Sequence, residues 1–212
     1  MECLAYAAHE LRTPLTYQRA LLELALADPN ADVASWREVG EDVLLACKQQ
    51  EHLLEACLTL ARSRNRCTHL EPVDLAAIAN ETLRAQDRHS LTTVLTLEPA
   101  RTNGDRTLVE RLAANLVSNA VRHNVAGGRI EVTTRTNAGR AVLSVSNTGP
   151  LIPVRELRRL FKPFERLSLG ADGIGLGLAI VQAVANAHDA TVTAQARLGG
   201  GLGIDVSFPS FS

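Results

Sequence analysis

The sequence predicts an α+β chain: an N-terminal antiparallel helical hairpin that pairs into a dimeric four-helix bundle, then an α/β sandwich. Three observations predict it. Apolar residues fall close to a coiled-coil seam from Leu4 to Leu26 and recur at spacings of three and four from Trp36 to Leu60. The polar run Ser63-Arg64-Asn65-Arg66-Cys67-Thr68 ends that pattern. Beyond it, period-2 and period-3.6 segments mix, as they do where helices cover one face of a mostly antiparallel sheet. The expected divisions are a hairpin over 1–66, a linker over 67–72 and a sandwich over 73–212.

The first helix carries Leu4, Ala8, Leu11, Leu15, Leu22 and Leu26 near one seam and stops at Asp28-Pro29-Asn30. The second carries Trp36, Val39, Val43, Ala46, Gln50, Leu53, Cys57 and Leu60, a heptad pattern. Ser35 is expected to cap it, with Glu38 as the capping-box partner. Spanning 35–64, it is roughly 45 Å long. Two such helices cannot bury both their stripes alone, so a homodimer is expected. A helix follows over 73–86, a strand over Thr92–Leu97 and a helix over 105–123. Ile130–Arg135 and Ala141–Ser146 form a strand pair turning at Asn137-Ala138-Gly139. An irregular segment covers 147–172. A helix near 175–187 and strands near 190–197 and 203–208 complete the chain.

Composition bounds the function. With 46% hydrophobic and only 3% aromatic residues among 212, the core must be aliphatic. A net charge of −1 gives no reason to expect a nucleic-acid or anionic-membrane surface. No apolar run approaches the ~20 residues of a bilayer span, so no membrane contact is expected within these residues. Cys3, Cys47, Cys57 and Cys67 form no C-x-x-C pair and read as reduced thiols.

Three stretches carry chemistry. In AAHELRTPLT, residues 7–16, His9, Arg12, Thr13 and Thr16 share one helical face beside the Leu11/Leu15 seam. An exposed neutral imidazole is a competent nucleophile, and the adjacent Glu10 can serve as its base. Pro14 removes a donor opposite the carbonyl of Glu10 and makes the helix bendable there. Alone, such a pair is usually a solvated surface. Second, Asn115 and Asn119 lie one turn apart beside Leu112, Leu116 and Val117, with Arg122, His123 and Asn124 following. Amide oxygens suit Mg²⁺, and Arg122 and His123 can meet phosphate. By themselves these residues fit a polar helix surface equally well. Third, Gly173-Ile174-Gly175-Leu176-Gly177 opens an apolar helix, where glycines and free amides favour an anion. No strand precedes it and no G-K-[ST] follows, so it is neither a dinucleotide fingerprint nor a P-loop.

Together these stretches resemble the cytoplasmic core of a sensor histidine kinase. His9-Glu10-Leu11-Arg12-Thr13-Pro14-Leu15 is similar to the family's H-box, and Asn115 to Asn124 to its N-box. Ser146-Asn147-Thr148-Gly149 resembles the G1 box, Phe161-Lys162-Pro163-Phe164-Glu165-Arg166 the F-box, and Gly173 to Gly177 the G2 box. All five occur in family order.

The resemblance implies a Bergerat-type ATP-binding fold for 73–212 and phosphotransfer from ATP to the hairpin. By it, His9 is the phosphoacceptor, Glu10 its general base, and Thr13 the residue orienting water when a partner is dephosphorylated. Asn119 binds Mg²⁺ with Asn115 in support, and Arg122 and His123 contact phosphates or ribose. Gly173, Gly175 and Gly177 cradle the triphosphate beneath a lid over 150–172, anchored by Phe161 and Phe164, while Arg166 reaches the γ-phosphate. The implied partners are a second copy and the receiver domain of a response regulator. Only eight residues precede His9, so a sensor and a membrane span are expected upstream, making this a cytoplasmic fragment of an inner- or plasma-membrane protein. One departure matters: the family's G1 aspartate, which reads the adenine amino group, is Asn147 here. It is followed by Gly149, but Leu151 replaces the second glycine. Asn147 keeps an acceptor and loses a charge, so weaker ATP binding is expected. A non-catalytic dimeric scaffold or a phosphatase-only module with a weakened ATP site is the competing expectation. Another ATPase of this fold, such as a topoisomerase subunit, fits poorly with the H-box.

Overall fold

The computed structural model describes residues 2–63, 70–86, 91–165 and 175–211, with residues 2–11 as backbone alone. The chain divides into two compact units, Met1–Leu58 and Thr59–Ser212.

The first unit holds α1 (Glu2–Ala27) and most of α2 (Val33–Arg62). Asp28 stops α1: its carboxylate accepts from the Asn30 amide at 2.9 Å and its carbonyl from Ala31 at 3.2 Å. Asp32, not Ser35, caps α2. Its Oδ1 accepts from both the amide and the hydroxyl of Ser35, each at 2.8 Å. The Ser35 amide is the principal reason the Asp32 carboxyl titrates below its ordinary range. Ser35 lies three residues after the true cap; serine and aspartate are equally good caps, both are present, and local sequence does not separate them. α1 continues through Pro14 without interruption. The α2 stripe holds from Val39 onward: Ala46 and Leu53 are buried, and Val39, Val43, Gln50, Cys57 and Leu60 are half-buried, whereas Trp36, expected to open it, is exposed. Against it, Gln18 of α1 is buried and its Nε2 reaches the Val43 carbonyl and Cys47 Sγ, both at 3.4 Å. Leu15, Leu22, Leu26, Leu44, Leu54 and Leu58 remain exposed in the single chain.

The second unit is the sandwich. Its five-stranded sheet runs in the order β2 (Thr92–Leu97), β4 (Arg129–Asn137), β5 (Arg140–Asn147), β7 (Leu202–Pro209), β6 (Thr191–Ala196). All neighbours are antiparallel except β2 and β4. The β4–β5 turn has Ala138 and Gly139 at φ 48° and 70°, the two-residue turn whose twist suits a hairpin. Helices α3 (Leu75–Ala85), α4 (Arg106–Arg122) and α5 (Gly177–Ala187) cover one face. Against them the sheet buries Ile130 and Val132, then Ala141, Leu143 and Val145, then Ile204, Val206 and Phe208. These are alternate residues on each strand, as a half-buried sheet requires.

Two short strands escaped the sequence reading. β1 (Glu71–Asp74) pairs antiparallel with β3 (Arg101–Gly104), so Glu71 and Pro72, read as the end of the linker, already belong to the sandwich. Four residues are too few for periodicity to speak. Of the rest of the expected linker, Leu70 is exposed, and 67–69, with Cys67, lie outside the described residues.

Candidate nucleotide cleft

α4 and α5 pack together, and at one end they enclose a cleft of about 560 Å³. Its walls include Asn115, Asn119, Arg122, His123, Asn147, Gly175 and Gly177, so residues from three separate stretches of sequence meet there. Arg166 and Gly173 lie outside the described residues. His9 and Glu10 are in α1, with side chains outside the described set. On the same helix Arg12, Thr13 and Thr16 are exposed, and Thr16 Oγ1 donates to the Arg12 carbonyl at 3.0 Å.

The asparagines differ in what holds them. α4 starts at Asp105, whose carboxylate accepts from Leu108 N at 3.1 Å, and buries Leu108, Leu112, Leu116 and Val117 on one stripe. Asn115 and Asn119 sit at its margin, half-buried. Asn115 Nδ2 donates to the Arg111 carbonyl at 2.7 Å, which turns its Oδ1 toward Gly177: a Cβ on Gly177 would lie 3.1 Å from that oxygen. Asn124 is structural. It takes a hydrogen bond from Thr148 Oγ1 at 2.6 Å and donates to the Ala120 carbonyl at 3.1 Å, closing the end of α4 against the strand-β5 exit. Asn119 alone of these keeps its amide unbonded among the described residues, and it lines the cleft. An unbonded amide oxygen is an available hard ligand.

Among the described residues, α5 begins at Gly177 with no side-chain cap from Leu176, and the first amides of a helix so begun favour an anion. Gly175 has φ 74° and its missing Cβ would stand 3.0 Å from the Phe164 carbonyl carbon. There the Phe164 amide donates to the Gly175 carbonyl at 2.9 Å, with Phe164 itself at φ 66°. Glycine is the residue that permits so close an approach with that backbone.

Asn147 ends the inward stripe of β5 and is 3% exposed. Its Nδ2 donates to the Thr148 carbonyl at 2.7 Å and the His123 carbonyl at 3.4 Å. Both amide protons are thereby used, and Oδ1 is left as the acceptor. The amide is therefore fitted to its surroundings in a way a carboxylate is not, since a second carboxylate oxygen would face two carbonyl oxygens. Asn147→Asp is expected to lower stability by about 1–3 kcal/mol, the scale of a buried polar clash, measured by urea unfolding. Unchanged or raised stability would show that the two carbonyls do not hold the amide.

Sequence reading missed Gly200 and Gly201. They adopt φ 90° and 100°, and the Gly201 amide donates to the Pro150 carbonyl at 2.9 Å. A Cβ on Gly201 would collide with the carbonyl oxygen of Asn147, and one on Gly149 would lie 2.6 Å from the His123 carbonyl. The run Gly199-Gly200-Gly201 was the available signal, but only the sheet shows that it backs the Asn147 loop. Leu151, in place of a glycine, is exposed at the cleft mouth.

Comparison with known proteins matches this architecture. Residues 104–211 match the family model "Histidine kinase-, DNA gyrase B-, and HSP90-like ATPase", and residues 1–66 match "His Kinase A (phospho-acceptor) domain". The sandwich is thus the Bergerat-type ATP-binding fold. The sensor protein CutS of Streptomyces coelicolor is 45% identical over 96% of the chain and 51% of its own length. The signal transduction histidine-protein kinase/phosphatase MprB of Mycobacterium tuberculosis is 33% identical over 86% of the chain and 38% of its own. The Acinetobacter baumannii histidine kinase AdeS superposes with a TM-score of 0.74 at 25% identity, covering 96% of this chain and 98% of that one. The chain belongs to the sensor histidine kinases of two-component systems. It spans about half the length of the CutS proteins it matches. No described helix is long and apolar enough to cross a membrane. The matches do not favour a non-catalytic scaffold or a phosphatase-only module with a weakened ATP site.

Proposed function

We propose that this chain is a kinase core that binds Mg²⁺-ATP in the α4–α5 cleft and phosphorylates its own His9. What supports this most is one cleft that joins an unbonded Asn119 amide, uncapped α5 amides and the Asn147 acceptor, in a chain that also carries a phosphoacceptor hairpin. Asn147 Oδ1 accepts from the adenine amino group, and Gly149 leaves room for the base. Gly173, Gly175, Gly177 and the start of α5 cradle the phosphates. Arg122, His123 and Arg166 add cationic or hydrogen-bonding contacts to phosphate and ribose. Asn119, oriented beside Asn115, would hold Mg²⁺, which when bound supplies charge neutralisation on the phosphates.

In the transfer, an imidazole nitrogen of His9 forms a bond to the γ-phosphorus as the bridging P–O bond breaks. The electron pair leaves on ADP, and Glu10 takes the proton from the other ring nitrogen. The phosphoryl group then passes to an aspartate of a response-regulator receiver domain. Thr13 orients water in the reverse sense, a phosphatase activity that the name of MprB also carries. The exposed leucines of the hairpin support a homodimer, since four helices bury what two leave bare. On this reading the complete protein sits at the inner or plasma membrane, with this core on its cytoplasmic side.

Asn119→Ala is expected to weaken Mg²⁺-ATP binding by about ten- to a hundredfold, the scale of a damaged metal site. Binding of the nucleotide in EDTA should be nearly unchanged. Titration calorimetry reads both, and an undiminished Mg²⁺ dependence would remove Asn119 from the metal.

A further inference from the structure

The cleft wall contains a charge arrangement that the nucleotide reading does not use. Two 3₁₀ turns, Val154–Glu156 and Arg159–Phe161, lead to Glu165. Glu156, Arg159 and Glu165 all line the cleft. Arg159 donates from Nη1 to Glu156 Oε2 and from Nη2 to Glu165 Oε2, each at 2.7 Å. The guanidinium thus has a carboxylate on each of two edges, the strongest kind of side-chain hydrogen bond. These bonds hold the Glu165 carboxyl below its ordinary titration range and raise that of Arg159.

Two carboxylates are a poor lining for a polyanion site unless they serve something else there. On the nucleotide reading above they lie toward the phosphates, for Glu165 follows Phe164, whose amide bonds the Gly175 carbonyl two residues before α5. Each carboxylate also has a second cation behind it. Arg155 Nε lies 3.5 Å from Glu156 Oε1, and Lys162 acts on Glu165 through its charge. Arg159 can therefore leave both without stranding either one. A guanidinium exchanges carboxylate for phosphate readily, because its planar fork matches both.

We propose that Arg159 is a polyphosphate-binding residue held in reserve by Glu156 and Glu165, so that nucleotide phosphates and these carboxylates compete for one guanidinium. This rests on ATP being the occupant of the cleft. Triphosphate competes best, diphosphate less well, and a nucleoside not at all.

The test is a cycle of titrations on the full chain with Mg²⁺-ATP, Mg²⁺-ADP and adenosine. The variants are Glu156→Gln with Glu165→Gln, Arg159→Ala, and all three together. The glutamine pair should tighten Mg²⁺-ATP binding by about three- to tenfold, since two partly exposed ion pairs are released. Arg159→Ala should weaken it by about the same factor, and in that background the glutamine pair should gain much less. Adenosine binding should not respond to any of them. If the glutamine gain is as large or larger with Arg159 removed, simple repulsion between carboxylate and phosphate is at work and the competition is refuted. A gain for adenosine equal to that for ATP refutes it too. If wild-type protein shows no saturable Mg²⁺-ATP binding, the nucleotide reading itself falls and takes this inference with it. Arg159→Lys, which keeps the charge without the fork, should recover less than half of the Arg159→Ala loss. Full recovery would mean that charge alone suffices and that the two-edged geometry has no role.

Discussion

His9→Gln is expected to abolish phosphorylation of the chain by ATP labelled at the γ-phosphate. The label on wild-type protein should be acid-labile and base-stable, the signature of a phosphoramidate. The lone pair of a glutamine amide nitrogen is delocalised into its carbonyl, so it cannot replace the imidazole as a nucleophile. A loss above about 10³-fold is the scale on which removing a covalent nucleophile is felt. Nucleotide affinity should stay within about twofold, because transfer and binding use groups on different elements. Retained labelling in the variant would remove His9 from its role. Lost labelling together with lost ATP binding would mean that the substitution had damaged the cleft instead.

The second large effect is expected from Gly201→Ala. At φ 100°, an L-residue is strained before any contact is considered. The new Cβ would then collide with the Asn147 carbonyl oxygen and stand 2.9 Å from the Asn147 and Thr148 carbonyl carbons. These are backbone atoms at the paired ends of β5 and β7, where Asn147 is registered with Leu202, and they cannot swing aside as a side chain would. Backbone strain and overpacking together cost about 2–5 kcal/mol. At this chain length that corresponds to a fall of roughly 5–15 °C in Tm. ATP affinity should fall with it, because the loop that presents Asn147 Oδ1 must shift. Gly199→Ala is the control, as nothing lies within 4 Å of its missing Cβ. If Gly201→Ala melted like Gly199→Ala, the close approach between the β6–β7 turn and the Asn147 loop would not exist.

Both predictions draw on residues of unequal legibility. His9 stands in a local word of seven residues, and local words survive in the linear chain. The heptad of α2, the helix bearing Asn115 and Asn119, and the β4–β5 hairpin were legible for the same reason, since each depends on neighbours within about seven positions. β1 and β3 were not legible, because four-residue strands carry too little alternation. His188 shows the limit clearly. In the linear chain it stands near a helix end, in none of the motifs. In the fold it is buried, its Nε2 accepts from the Asp105 amide at 3.0 Å, and its Nδ1 lies 2.8 Å from the Val184 carbonyl. It thereby ties the start of α4 to the end of α5, across 83 positions of sequence.

By itself, the order of residues determined the class of the chain, its helices and most of its strands, and it singled out the asparagines and glycines proposed above to meet a nucleotide. Periodicity and short motifs encode those things directly. Tertiary structure alone decided which amide remains unbonded, which face of β5 carries Asn147, why Gly201 admits no side chain, and that Arg159 lies between two carboxylates. Each of those facts is a distance between groups on separate elements, and such distances exist only once the sheet register and helix packing are set.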